Sequence, residues 1–261
     1  MKQLCSHLSV IIVLLCMGCS QSSESISDNS SLPSWIDATA GYFESERCLV
    51  GDTITLSRDY FLRLHLLSEA RRCFGNADTH VSLVGTPEMV MQMMTRHGAL
   101  TANAYSPRHG RVNYQVLARK VETAVRSSRS ADEAERRAAD IIDTAIEYMP
   151  RMVFLLGAEY TPLEYAHSVA LESDYEWVDA PPADGWAALI RQSGHAVWYG
   201  KAPHSVAKKL RARGEDGNIS LHIKSNGSDA DDFQIVADSI ADNVIKASWV
   251  NEKTLGVFIK K

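Results

Sequence analysis

The texture of this sequence changes near Tyr175, and that change limits the architectures open to it more than any single motif does. Before it, apolar residues recur three and four positions apart. After it, YEWVDA, HAVWYG, ISLHIKSN, DFQIVADS and TLGVFIKK are short β-branched or aromatic runs bounded by turn residues. Helices first and strands last is the α+β pattern, with helices set to one side of a largely antiparallel sheet or barrel.

Within the first part, Trp35, Ile36, Ala38, Ala40, Phe43 and Leu49 predict a buried helix starting at or just before Ser34, with Ser34 as its N-cap. After the turn VGDTIT, Leu56, Tyr60, Phe61, Leu64, Leu67 and Ala70 predict a second amphipathic helix capped by Ser57. GTPEMVMQMMTRHGAL predicts a third, opening at Thr86 and Pro87 and closing at Gly98, its methionine row serving as core. Two further helices are separated near Ser127 to Ser130, with SADE as a capping box for the second. MVFLLG is a strand or a helix end, and YTPLEYAHSV starts a short helix at Pro162.

The first residues stand apart. MKQLCSHLSVIIVLLCMGC has a basic start at Lys2, an apolar run from Leu8 to Leu15 and small residues before Cys19. The run is short of the roughly 20 residues a bilayer span needs, so residues 1–18 are expected to be a lipoprotein signal peptide. Cys19 is then the lipidated N-terminus, and residues 19–31 form a solvated tether. An exported, envelope-anchored protein follows, with a weak preference for the outer membrane because Ser20 and Gln21 follow the cysteine where an inner-membrane signal has Asp.

Residues 32–261 suffice for one sizeable core and are expected to form a single domain. A net charge of -5 without a basic stripe excludes nucleic acid as the natural partner. Membrane association therefore rests on the lipid at Cys19. Cys48 and Cys73 can pair in an oxidising compartment or remain free thiols, and the sequence leaves both open. No Cys/His spacing suits a metal, and no cofactor is expected.

The order of these pieces resembles the papain-like cysteine peptidases, most closely their bleomycin hydrolase and aminopeptidase C branch, including its Bacteroidetes-type lipoprotein members. SWIDATAGYFESERCLVGDTITLSRDYFLRLHLLSEAR is similar to that branch's Cys-Trp helix and the helix after it. GTPEMVMQMMTRHGAL, YTPLEYAHSV, GWAALIRQSGHAVWYG and TLGVFIKK resemble later segments. The resemblance implies a papain-like fold, with a helical half that carries the central helix and a sheet or barrel half.

It also implies where the chemistry should lie. Such a peptidase needs a thiol activated by an imidazole and by a helix N-terminus, a residue that orients the imidazole, and a Gln that holds the oxyanion. The corresponding positions are Ser34 for the nucleophilic Cys, Asp28 for the Gln, Ile219 for the His and Asp238 for the Asn, with Ile240 in the place of the Trp that follows that Asn. A hydroxyl has too high a pKa for a helix dipole and an imidazole to ionise. Asp28 would repel an oxyanion, and Ile219 leaves Asp238 no histidine to orient. The expectation is a non-catalytic pseudopeptidase whose former cleft is open to a peptide or protein ligand. An alternative set, Ser34, His222 and Asp238, would make a serine hydrolase if the late strand were shifted in register. His195 and His204 flank HAVWYG with no partner that the sequence identifies. The oligomeric state stays open.

Overall fold

The computed structural model describes residues 32–76, 78–108, 110–155, 157–201, 217–227, 231–236 and 244–261. Five helices come first: α1 (Ser34–Leu49), α2 (Arg58–Cys73), α3 (Pro87–His97), α4 (Tyr114–Arg126) and α5 (Ala131–Ala145). A small antiparallel hairpin, β1 (Val153–Leu155) and β2 (Ala158–Tyr160), leads into α6 (Pro162–Val169) and a 3-10 turn at Glu172–Asp174. The remainder is β3 (Tyr175–Val178), α7 (Trp186–Ser193), β4 (His195–Lys201), β5 (Asn218–Ser225), β6 (Asp232–Ile235), β7 (Val244–Lys246), α8 (Ala247–Lys253) and β8 (Thr254–Lys260). The fold is α+β, and the strands after Tyr175 form one antiparallel sheet in the order β3-β8-β4-β5-β6-β7. Among the described residues no helix is long and apolar enough to cross a membrane.

Local chemistry explains most helix starts. Ser57 accepts from the Tyr60 N–H at 3.1 Å, Asn113 from Val116 and Ser130 from Glu133, so each side chain satisfies an amide that the helix leaves open. The expected SADE box is only half formed. The Glu133 carboxylate reaches the Arg129 N–H, one residue beyond the cap, while the complete capping box lies at Thr161 and Glu164. Helix α3 ends at Gly98, whose φ of 89° favours glycine, and a Cβ there would collide with the Pro162 carbonyl where α6 begins.

Strand periodicity sorts the core into two layers. Ala196, Trp198, Ile219, Leu221, Ile223, Val257 and Ile259 pack beneath α7 and α8 with Trp186, Ile190 and Val250. On the opposite face, Val197 and Phe258 join Tyr42 and Phe43 of α1 in the helical core. Phe258 stacks on Tyr175 with ring centroids 5.5 Å apart and planes 5° apart. Fully buried Trp35 donates its Nε1–H to Leu83 O at 3.0 Å, so the indole contributes apolar area without leaving a donor unpaired. Met91 and Met94 are buried and Met89 and Met93 pack at the edge of this core.

Two expectations need correction, those for Ser34 and Ile219, and the alternatives left open for Cys48 and Cys73 reduce to one. Helix α1 starts at Ser34, but the cap position is Pro33 and no side chain caps the helix; the Ser34 hydroxyl is used elsewhere. Cys48 is exposed at the end of α1 and Cys73 is buried at the end of α2, and both thiols are free. Cys73 Sγ donates to His80 O at 3.2 Å. Ile219 does not face α1, because it lies in the layer beneath α7 and α8.

Candidate functional site

The candidate site is the seam between α1 and strands β4, β5 and β8. Along β5, side chains alternate between layers, so Ser220 and His222 share the face toward α1 while Ile219 and Leu221 share the other. At the N-terminal end of the seam, the Ser220 N–H donates to Ser34 Oγ at 2.9 Å across 186 residues of sequence. The reason lies in the sheet edge. His222 O accepts from the Val236 N–H at 2.7 Å, so the backbone groups of His222 face β6. Those of Ser220 point the same way two residues earlier, before the pairing with β6 begins at Ile223. The Ser34 hydroxyl covers the amide that β6 does not reach. Ser220 Oγ itself is buried with no hydrogen-bond partner among the described residues.

About three turns further along α1 the chemistry changes. Glu46 Oε1 accepts from His195 Nε2, and Glu46 Oε2 accepts from Lys260 Nζ at 2.7 Å. His195 Nδ1 lies 3.2 Å from His222 Nε2. Val197 pairs with His222, so His195 and His222 are diagonal neighbours on adjacent strands. Tyr42 closes the group: its ring centroid is 4.6 Å from that of His195 and 5.5 Å, edge-on, from that of His222. Its hydroxyl accepts from the Lys260 N–H at 3.0 Å.

Charge fixes the direction of this chain. Burial pushes the Glu46 carboxyl up, but hydrogen bonds from Lys260 and His195 outweigh it and hold its pKa below the usual value. An ionised carboxylate only accepts, so His195 carries its proton on Nε2. Burial lowers the pKa of His195 despite Glu46, leaving Nδ1 as an acceptor for the His222 Nε2–H. Burial first, then repulsion by Lys224 and by any proton that His195 takes up, pushes His222 down to about 3. The outer end of the chain is therefore a neutral His222 whose Nδ1 holds a lone pair. So weak a base is far from the matched pKa that general-base catalysis near neutral pH requires.

The sequence-derived positions scatter across this frame. Ser34 lies on the seam, Ile219 on the far side of the sheet, and His222 beside Gly41 and Tyr42. Ser34 and Gly41 are seven residues apart, about 10 Å along a helix, so His222 and Ser34 occupy different ends of the seam. Asp28, Asp238, Ile240, His204 and Cys19 lie outside the described residues, as do the signal segment and the tether. Glu46, Lys260 and the pairing of His195 with His222 were not foreseen. A signal was present: His195 and His222 each fall on the sheet face opposite a bulky apolar run, and FESE supplies a carboxylate on the helix opposite them. Among the described residues no three His, Cys, Asp or Glu side chains gather as a metal cage. Neither a protein-family model nor a curated protein matches this chain.

Proposed function

We propose that the protein is a non-catalytic member of the papain-like group, a pseudopeptidase held at the cell envelope through a lipid on Cys19. Its former substrate cleft serves as a docking groove for a peptide or protein. The observation that carries this reading is the bond from the Ser220 N–H to Ser34 Oγ. At the head of the helix where a peptidase of that group presents its thiol, this chain places a hydroxyl that finishes a sheet edge. The strand residues that flank it, Ile219 and Leu221, are turned away into the opposite layer. Its two seam histidines are committed to each other and to Glu46.

The test uses the purified mature chain. It is expected neither to cleave aminopeptidase or endopeptidase substrates nor to carry a fluorophosphonate adduct on Ser34 by mass spectrometry. Turnover that disappears in Ser34→Ala would overturn the proposal and make Ser34 a nucleophile. Docking is read separately, by selection from a peptide library. Binding lost when a bulky side chain replaces Ser34 supports the groove; absence of any selected peptide reduces the protein to a scaffold.

A further inference from the structure

Residues 80–85 run between α2 and α3 without regular secondary structure, yet from Val81 to Gly85 they alternate buried and half-buried as a strand does. Among the described residues no backbone group pairs with them. Side chains take that place. The Val81 N–H donates to Glu122 Oε2 at 3.3 Å and the Ser82 N–H to Glu69 Oε2 at 2.9 Å. His80 O accepts from Arg72 Nη2 and from Cys73 Sγ, Ser82 O from His65 Nε2 at 2.9 Å, and Leu83 O from Trp35 Nε1. A Cβ on Gly85 would lie 2.5 Å from the Trp35 indole, so the segment ends close against that ring. It is a strap, tied down by side chains of α1, α2 and α4.

One of these ties depends on a proton. Donation from His65 Nε2 to Ser82 O leaves Nδ1 as the acceptor of a neutral ring, and that atom is buried with no hydrogen-bond partner, on a side chain 2% exposed. A proton there finds no acceptor while the strap is closed. Both oxygens of Glu69, one helical turn on, are taken by Arg72 Nε and Nη2 and by the Ser82 N–H. Burial accordingly holds the imidazole below its ordinary 6.5, against the pull of Glu69. With the strap open, water supplies the acceptor and the ring regains its ordinary basicity.

We propose that residues 80–85 form a proton-gated strap: a proton taken up at His65 Nδ1 releases them from α2 and α4 and uncovers the Trp35 indole beside Ser34. The charged and titratable groups around it are Glu69, Arg72 and Cys73 of α2, Glu122 and Arg126 of α4, and its own His80; α1 contributes the uncharged Trp35. Arg72 repels a charged His65 and so favours opening. Burial pushes both carboxyls up, but hydrogen bonds, first from Arg72 to Glu69 and from His80 to Glu122, hold them below their ordinary value. Both therefore stay ionised between pH 6.5 and 5. A proton on exposed His80 would tighten its contact with Glu122 and oppose opening, by the small amount usual for a surface pair. Because the open strap binds the proton that the closed one refuses, opening is favoured as pH falls below 6.5, by up to about tenfold per pH unit. The device does not depend on the family reading.

The test labels the mature chain with a thiol reagent between pH 7 and 5 and reads Cys73 against Cys48 by mass spectrometry. Cys48 is exposed, whereas Cys73 is buried and bonded to the first residue of the strap, so the ratio cancels the reagent's own pH dependence. In the wild type the ratio is expected to rise by up to about tenfold per pH unit below 6.5. It should stay flat in His65→Gln, whose amide still donates to Ser82 O but takes up no proton, and the rise should persist in His222→Phe. A flat ratio in the wild type, an equal rise in His65→Gln, or a rise lost in His222→Phe would each overturn the proposal. If His65→Gln does not fold, amide exchange of the wild type decides. Val81 and Ser82 losing protection with acid more steeply than Val197 of β4 supports the strap; equal slopes mean that the whole chain opens, and overturn it.

Discussion

Both ends of helix α1 lean on the sheet, Ser34 on β5 and Glu46 on β4 and β8, and they do so by opposite means. At Ser34 a half-buried neutral hydroxyl accepts one backbone N–H, and neither partner is a charged group. At Glu46 a carboxylate and an ammonium frame two buried imidazoles, with Tyr42 packed against both rings. The first contact completes a sheet, and its loss exposes one amide. The second is a connected polar chain inside a core, where each member depends on its neighbour being present. The two ends also divide the roles that a peptidase would combine at one point: the hydroxyl is at one end and the imidazoles are at the other.

The most damaging way to break this contrast is Glu46→Ala. It leaves His195 Nε2 without its acceptor in a site where both side chains are about one-tenth exposed. His195 is neutral there, so the cost is that of a buried donor left unpaired, about 1–3 kcal/mol, to which the lost bond from Lys260 Nζ adds. Urea unfolding at neutral pH should show the loss as a lower midpoint with an unchanged slope against denaturant.

A smaller effect separates the ends by pH. The pKa of His222 falls from 6.5 to about 3 on folding. Below pH 6.5 the unfolded chain takes up a proton that the folded chain refuses, so stability declines as pH falls from 6.5 toward 3. The decline is at most about 1.4 kcal/mol per pH unit for each such histidine. His195, also lowered, adds to the same side. The window from pH 6.5 to 5 lies above the carboxylate range and isolates the imidazoles. There, His222→Phe should reduce the slope of unfolding free energy against pH by up to one proton, whereas Ser34→Ala should leave it unchanged. Equal slopes for wild type and His222→Phe would remove the distinction.

The smallest effect is on the neutral end. Ser34→Ala removes one neutral hydrogen bond at a half-buried position and should cost about 0.5–1.5 kcal/mol, the net worth of such a bond. Hydrogen exchange should speed up at Ser220 while the amides of β4 residues inside the sheet remain protected.

The extent to which the sequence announced this molecule follows from the distance over which each signal acts. Ser57, Ser130 and Pro162 mark helix starts through chemistry confined to one turn, and those starts stand where expected. The strand runs after Tyr175 carry period-two burial and form the sheet. Ser34 has the composition of a cap, but Pro33 occupies that position, and the hydroxyl answers a demand made 186 residues away. The His195–Glu46 contact spans 149 residues and leaves no mark on local periodicity. Helix α8, Ala247–Lys253, has one fully buried residue, Val250, and hence no apolar stripe to reveal it. Ile219 was assigned by following a family's spacing; register on β5 places its neighbour Ser220 against α1 instead, since a shift of one residue exchanges the two faces of a strand.

The strand order has a consequence for how the chain is made. β8 is the last element in sequence, yet it lies between β3 and β4, and its Lys260 N–H is held by Tyr42 of the first helix. Until residues 254–260 leave the ribosome, β3 has no partner with which to join the sheet and Tyr42 OH has no amide to accept from. Completion of the sheet thus waits on residues 254–260 and is of high contact order. A chain interrupted before residue 254 would hold a helical half with an open sheet edge beside it, a species prone to pair with its own kind.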